Sequence, residues 1–138
     1  MLVMLELIRE AKVIRENAYV PYSNFKVGAA LRTKTGKIYT GCNIENSSYP
    51  VTCCAERVAI FSAIAQGEQD FLDMAVIADT EGPVSPCGSC RQVMSEFFDE
   101  SMKIYLTNLE QDIKIIKMNE LLPFSFNADV LRSSDHTI

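Results

Sequence analysis

Among the 138 residues, three cysteines and a glutamate have the types and spacing for joint chemistry. Cys54 is followed two residues later by Glu56, and Pro86-Cys87-Gly88-Ser89-Cys90 supplies a second pair of thiols. Two cysteines with two residues between them can place both sulfurs on one zinc ion, and Gly88 relieves the tight backbone between them. Three protein ligands leave a coordination position open for water, as catalytic sites do, whereas four close it. Cys53 adjoins Cys54, and both side chains would struggle to reach one tetrahedral ion, so Cys53 reads as a small packing residue. The alternative is a fourth ligand from Cys53 or Cys42, which would make a structural site with no catalysis.

The single histidine, His136, stands two residues from the end of the chain and is given no role. Without it the usual general base is missing, and so are Ser-His and Cys-His nucleophilic mechanisms. A carboxylate must then move the protons, and Glu56 is the one placed to do it. Elsewhere such a glutamate would merely favour a helix dipole. Three thiolates on zinc leave a centre of net charge about −1, a poor activator of water unless that charge is offset. Two helix N-termini at the sulfurs would offset it, and so would Arg57, three residues after Cys54, by donating hydrogen bonds to thiolate.

The elements that must hold these residues follow from periodicity. Met4, Leu7, Ala11, Ile14 and Ala18 recur at steps of three and four, an amphipathic helix that Pro21 should end. Strands are expected over 26–32 and 38–41 around the turn Lys34-Thr35-Gly36-Lys37. The stretch 43–52 reads as a polar loop, and a second helix starts near Cys53 and closes at Gly67. A strand over 72–78, a helix over 88–98, strands over 103–107 and 113–117 and a helical turn at 119–122 complete the pattern. The tail over 127–138 is expected to be flexible. With no repeat, linker or low-complexity tract, residues 1–138 read as one α/β layered domain.

Composition narrows the function classes. A formal charge of −5 and a sequence pI of about 4.9 leave no basic cluster for a nucleic-acid backbone. No stretch approaches the roughly 20 apolar residues that span a bilayer, and the N-terminal run lacks the pattern of a signal peptide. A cytoplasmic location is expected, where thiols stay reduced. Five cysteines are an odd number for a disulfide set, so metal or redox chemistry is the better reading.

Cys54-Ala55-Glu56-Arg57 followed by Pro86-Cys87-Gly88-Ser89-Cys90-Arg91 resembles the cytidine deaminases, specifically their small homotetrameric class. This is the known signature of zinc nucleobase deaminases in its all-cysteine form. The resemblance extends from Pro21-Tyr22-Ser23-Asn24-Phe25 through Gly41-Cys42-Asn43-Ile44-Glu45-Asn46 to Leu121-Leu122-Pro123-Phe124-Ser125-Phe126. It implies an α-β-α sandwich around a mixed five-stranded sheet, with one zinc per subunit held by Cys54, Cys87 and Cys90. It also implies hydrolytic deamination of cytidine and 2′-deoxycytidine in pyrimidine salvage, by a zinc-bound water attacking C4 while Glu56 moves protons. Asn43 and Glu45 match residues that bind sugar hydroxyls, and the backbone of Ala55 matches contacts to the base. Phe25 matches the residue packed on the pyrimidine ring. Tyr49 matches a position near the substrate at a subunit interface, and Phe126 one that reaches in from a neighbouring subunit. Taken alone, 43–46 would read as a polar turn and either phenylalanine as plain core.

Three rivals predict different things. A blasticidin-type antibiotic deaminase would share the metal site, but Asn43-Ile44-Glu45 and Arg57 favour ordinary nucleosides. A structural-zinc module predicts a saturated four-ligand site and no role for Glu56. A thioredoxin-like redox pair at Cys87 and Cys90 expects an early strand-helix placement, whereas this pair comes late.

Overall fold

The structure is a computed structural model, and it describes residues 1–133. His136 lies outside the described residues. The chain runs α1 (Leu2–Arg15), β1 (Val27–Thr33), β2 (Ile38–Cys42), a 3-10 turn (Tyr49–Val51), α2 (Ala55–Ala65) and β3 (Phe71–Ala78). It continues through α3 (Gly88–Phe97), β4 (Lys103–Asn108), β5 (Ile113–Lys117), α4 (Met118–Leu121) and α5 (Ala128–Ser133). The five strands form one sheet in the order β2-β1-β3-β4-β5, parallel only between β3 and β4.

Alternation along the strands sends side chains to two cores. Ala29, Leu31, Met74, Val76, Ile104 and Leu106 face one side, where Ala59, Ile60 and Ala63 of α2 and Cys90 and Met94 of α3 cover them. Ala30, Ala75, Ile77 and Tyr105 face the other, against Leu7 and Ala11 of α1. The result is the expected α-β-α sandwich. Each fully buried Leu, Ile or Met here contributes about 1.5–3 kcal/mol. On the α1 side Arg32 makes a two-pronged contact with Asp73 (2.9 and 3.1 Å), which also accepts from Tyr105 Oη at 2.8 Å. Arg32 reaches on to the Val3 carbonyl at 2.7 Å and so ties the start of α1 to the sheet.

One expectation needs correcting, and one element is new. The first helix stops at Arg15, short of Pro21, because Tyr19 is drawn into a parallel bridge with Ile44 (Tyr19 N–H to Asn43 O, 3.0 Å; Glu45 N–H to Tyr19 O, 2.9 Å). The tail carries a six-residue helix, α5, over Ala128–Ser133 that the sequence reading did not foresee.

Register decides where the loops gather. Gly28, at the start of β1, faces Cys42 at the end of β2 and Ile77 near the end of β3. The loop entering β1 and those leaving β2 and β3 therefore emerge at one end of the sheet. The last two lead directly into α2 and α3.

Candidate metal centre and active site

Cys54 is the N-cap of α2 and Cys87 the N-cap of α3, both with extended backbone. The Cys87 sulfur accepts the Cys90 backbone N–H at 3.4 Å, as a capping oxygen would. The Cys54 and Cys87 sulfurs lie 3.7 Å apart, and the sulfurs of Cys54, Cys87 and Cys90 all fall within 4.8 Å of one another. Neither Cys53 nor Cys42 joins this group among the described residues. Cys42 is buried in β2, while Cys53 is bridged through its backbone to Ile44. Three soft thiolate donors converging from two helix N-termini are a donor set suited to zinc.

The Arg57 contact runs as the charge count requires. The Arg57 guanidinium donates to the Cys54 sulfur at 3.3 Å, while its Nε is buried with no partner. Hydrogen bonds from the Cys90 thiol, then from Arg57 and Cys87, hold the Cys54 thiol down at about 5. Cys90 is pushed the other way, first by its bond to Cys54 and then by burial. Glu56, in the first turn of α2, is 4% exposed, and burial pushes its carboxyl up to about 7. A carboxyl there can hold or release a proton near neutrality, as a general acid–base must.

The other expected site residues are held in different ways. Ala55 is fully buried beside Cys54. Asn43 is buried, and its side chain is bound to backbone: Oδ1 accepts Val27 N–H at 2.9 Å and Nδ2 donates to Phe25 O at 2.7 Å. Glu45 accepts the N–H groups of Tyr22 (2.9 Å) and Ser23 (3.1 Å) and the Ser23 hydroxyl. The Ser23 hydroxyl, before the backbone donors, holds the Glu45 carboxyl below its ordinary range. With Tyr49 and Thr52 these residues line a hollow of about 340 Å³, where the Tyr22 and Tyr49 rings stand 5.6 Å apart. Phe25, Tyr49 and Phe126 are all exposed, and the Phe126 carbonyl accepts from Gln92 of α3 at 2.9 Å.

Sequence reasoning missed one organiser of the site. Arg91 donates to Pro86 O (2.9 Å), Ser85 Oγ (2.7 Å) and Leu121 O (2.9 Å). It thereby ties the cysteine loop to the C-terminal segment. Its place directly after Cys90 was visible in the sequence, but its partners, up to 30 residues away, were not.

The model of the cytidine and deoxycytidylate deaminase zinc-binding region matches residues 3–106. The chain belongs to this family. It is 57% identical to the cytidine deaminase of Sporosarcina psychrophila over 126 residues, covering 91% of this chain and 93% of that one. The crystal structure of cytidine deaminase from Burkholderia pseudomallei superposes with a TM-score of 0.87 at 50% identity, over 88% of this chain and 98% of that one. The blasticidin-S deaminase of Bacillus cereus is more distant, at 34% identity over 91% of this chain and 93% of that one. A deaminase family member with three converging thiolates has no need of the redox-pair or structural-zinc readings.

Proposed function

We propose that this chain is a zinc-dependent cytidine deaminase, acting on cytidine and 2′-deoxycytidine to release ammonia and the uracil nucleoside. The observation that carries the reading is Glu56, buried with its carboxyl pushed up to about 7, beside three thiol ligands at two helix N-termini. Cys54, Cys87 and Cys90 would hold one zinc per subunit. When bound, the metal lowers the pKa of a water enough to supply a nucleophile at neutral pH. Glu56 takes the proton that the attacking water gives up and delivers it to N3 of the cytosine, which makes C4 electrophilic. The freed carboxylate then takes the proton of the new C4 hydroxyl and passes it to the amine, which leaves as ammonia while that oxygen becomes the carbonyl, so the same group acts as base and acid in turn. Arg57 and the two helix N-termini offset the thiolate charge.

Substrate contacts follow from the loops. Phe25 packs on the pyrimidine, the backbone of Ala55 orients the base, and Glu45 accepts from the sugar hydroxyls. Asn43 contributes there mainly by holding the Phe25 backbone, since its amide is already engaged with Phe25 and Val27. Phe126, exposed in the single chain, would reach into a neighbouring subunit's site in a homotetramer, and Tyr49, also exposed, would lie at the subunit interface near the substrate. The low pI argues against a nucleic-acid substrate. No helix among the described residues is long and apolar enough to cross a membrane. The reduced cytoplasm, where thiolates persist, suits a role in pyrimidine salvage.

The test is ammonia release from cytidine by the purified protein and by Glu56→Gln, with zinc content measured in both. We expect activity in the parent and its loss in a zinc-loaded variant. Undiminished activity in the variant would remove Glu56 from the mechanism.

A further inference from the structure

We propose that Ser23 is a positioning residue whose one hydroxyl couples the base-stacking position, Phe25, to the sugar-binding carboxylate, Glu45. The inference rests on the roles proposed for those two residues.

The hydrogen bonds fix its orientation. Ser23 Oγ lies 3.0 Å from the Phe25 N–H and in contact with Glu45 Oε2. An amide N–H can only donate and a carboxylate can only accept, so the single hydroxyl proton must point at Glu45. Asn24 between them has φ of 57°, a left-handed conformation that asparagine tolerates. That reversal sits between Ser23 and Phe25, in the turn whose N–H returns to the hydroxyl. From the opposite side, Asn43 bonds the Phe25 carbonyl and Val27 N–H. The segment carrying Glu45 therefore holds Phe25 by its N–H, through Ser23, and by its C=O, through Asn43.

Acceptor counting gives this coupling a consequence for specificity. A carboxylate offers about four lone-pair positions. Tyr22 and Ser23 N–H groups occupy two on Oε1, and the Ser23 hydroxyl one on Oε2. The position left on Oε2 is the one available to a sugar hydroxyl, and its direction is set by where Ser23 holds that oxygen. Without the hydroxyl, the two backbone donors still retain Oε1, but Oε2 loses its only protein partner among these contacts.

The test is steady-state kinetics on zinc-loaded Ser23→Ala, Ser23→Thr, Glu45→Ala and the Ser23→Ala/Glu45→Ala double variant. Cytidine and 2′,3′-dideoxycytidine are compared, the latter as substrate or competitive inhibitor. Ser23→Ala should raise KM for cytidine about three- to tenfold, the range of an ordinary net hydrogen bond and below that of one to a charged group, because two donors remain. Its kcat should stay within about twofold of the parent, the pattern of lost uniform binding. Ser23→Thr should restore KM. Dideoxycytidine, which keeps only the base contact, should register a smaller loss in Ser23→Ala than cytidine does, and the double variant should lose less than the sum of the two single variants. Equal losses on both nucleosides, or additive losses in the double variant, would overturn the proposal and leave Ser23 as a builder of the loop. A parental KM in Ser23→Ala beside a raised KM in Glu45→Ala would overturn it while keeping the Glu45 reading. A parental KM in Glu45→Ala would remove that reading and the proposal with it.

Discussion

Two glycines in neighbouring strands allow the link between packing and catalysis to be tested. A Cβ at Gly41 would lie 2.4 Å from Ala59 N, 2.5 Å from Ala55 O and 3.0 Å from Val58 C, all backbone of α2. A Cβ at Gly28 would lie 2.0 Å from Ala11 O and 2.8 Å from Arg15 Cβ, on α1 across the sheet. Neither contact can be relieved by a flexible side chain alone, so a helix must retreat by about 1 Å in each alanine variant, at about 1–3 kcal/mol for overpacking. At roughly 3–5 °C per kcal/mol for a domain of this size, each Tm should fall by about 3–15 °C. The two should differ in activity. Cys54 and Glu56 start the helix that Gly41→Ala displaces, and a misplacement of about 1 Å near the chemistry can cost on the order of 100-fold. The helix that Gly28→Ala displaces carries none of the proposed site residues. Thermal melts, zinc content and kcat per folded, zinc-loaded molecule would be measured for both. Gly41→Ala should lose stability and kcat together, and Gly28→Ala stability alone. A Gly41→Ala protein with parental Tm and kcat, or equal kcat losses in both variants, would refute the reasoning.

Further outcomes follow from individual contacts. Arg57→Ala removes the donor to Cys54, and zinc should pass to a competing chelator about 10–100-fold more readily, the range for groups that support metal ligands. Asn43→Ala strands the Phe25 carbonyl and the Val27 N–H, at about 1–3 kcal/mol for each group left unsatisfied. It should lower Tm and raise KM for cytidine together. Burial and the bond to Asp73 push the Tyr105 hydroxyl up to about 12 from an ordinary 10. The folded state keeps this proton after the unfolded chain has released it, so the stability is complete below pH 10 and is lost as pH climbs through 12. Urea midpoints measured from pH 9 to 12 should decline less steeply in Tyr105→Phe than in the parent.

The order of the elements and the chemistry were legible because each rests on short-range pattern. Apolar steps of three and four located α2, and the positions of Cys54, Glu56, Cys87 and Cys90 at loop-to-helix junctions could be read from neighbouring residues. The absence of a usable histidine singled out Glu56 before its burial was known. Strand β5 falls on the expected residues, because its bounds are local turn signals. What misled was also local: Pro21 looked like the helix stop, but hydrogen bonds from Tyr19 to a segment about 25 residues away ended the helix earlier.

The remainder depended on register, which no local pattern carries. Pairing of Gly28 with both Cys42 and Ile77 brings three separate loops to one end of the sheet. Only that convergence sets the Cys54 and Cys87 sulfurs 3.7 Å apart across 33 residues and leaves Cys42 and Cys53 out of the cluster. The sequence by itself determined which groups could bind metal and move a proton, since side-chain chemistry is a property of residue type. Tertiary structure alone decided how many thiols meet, that burial pushes the Glu56 carboxyl up to about 7, and that Ser23 stands between Phe25 and Glu45. Distance, desolvation and hydrogen-bond direction arise from residues far apart in the chain, and they exist only once the sheet has brought those residues together.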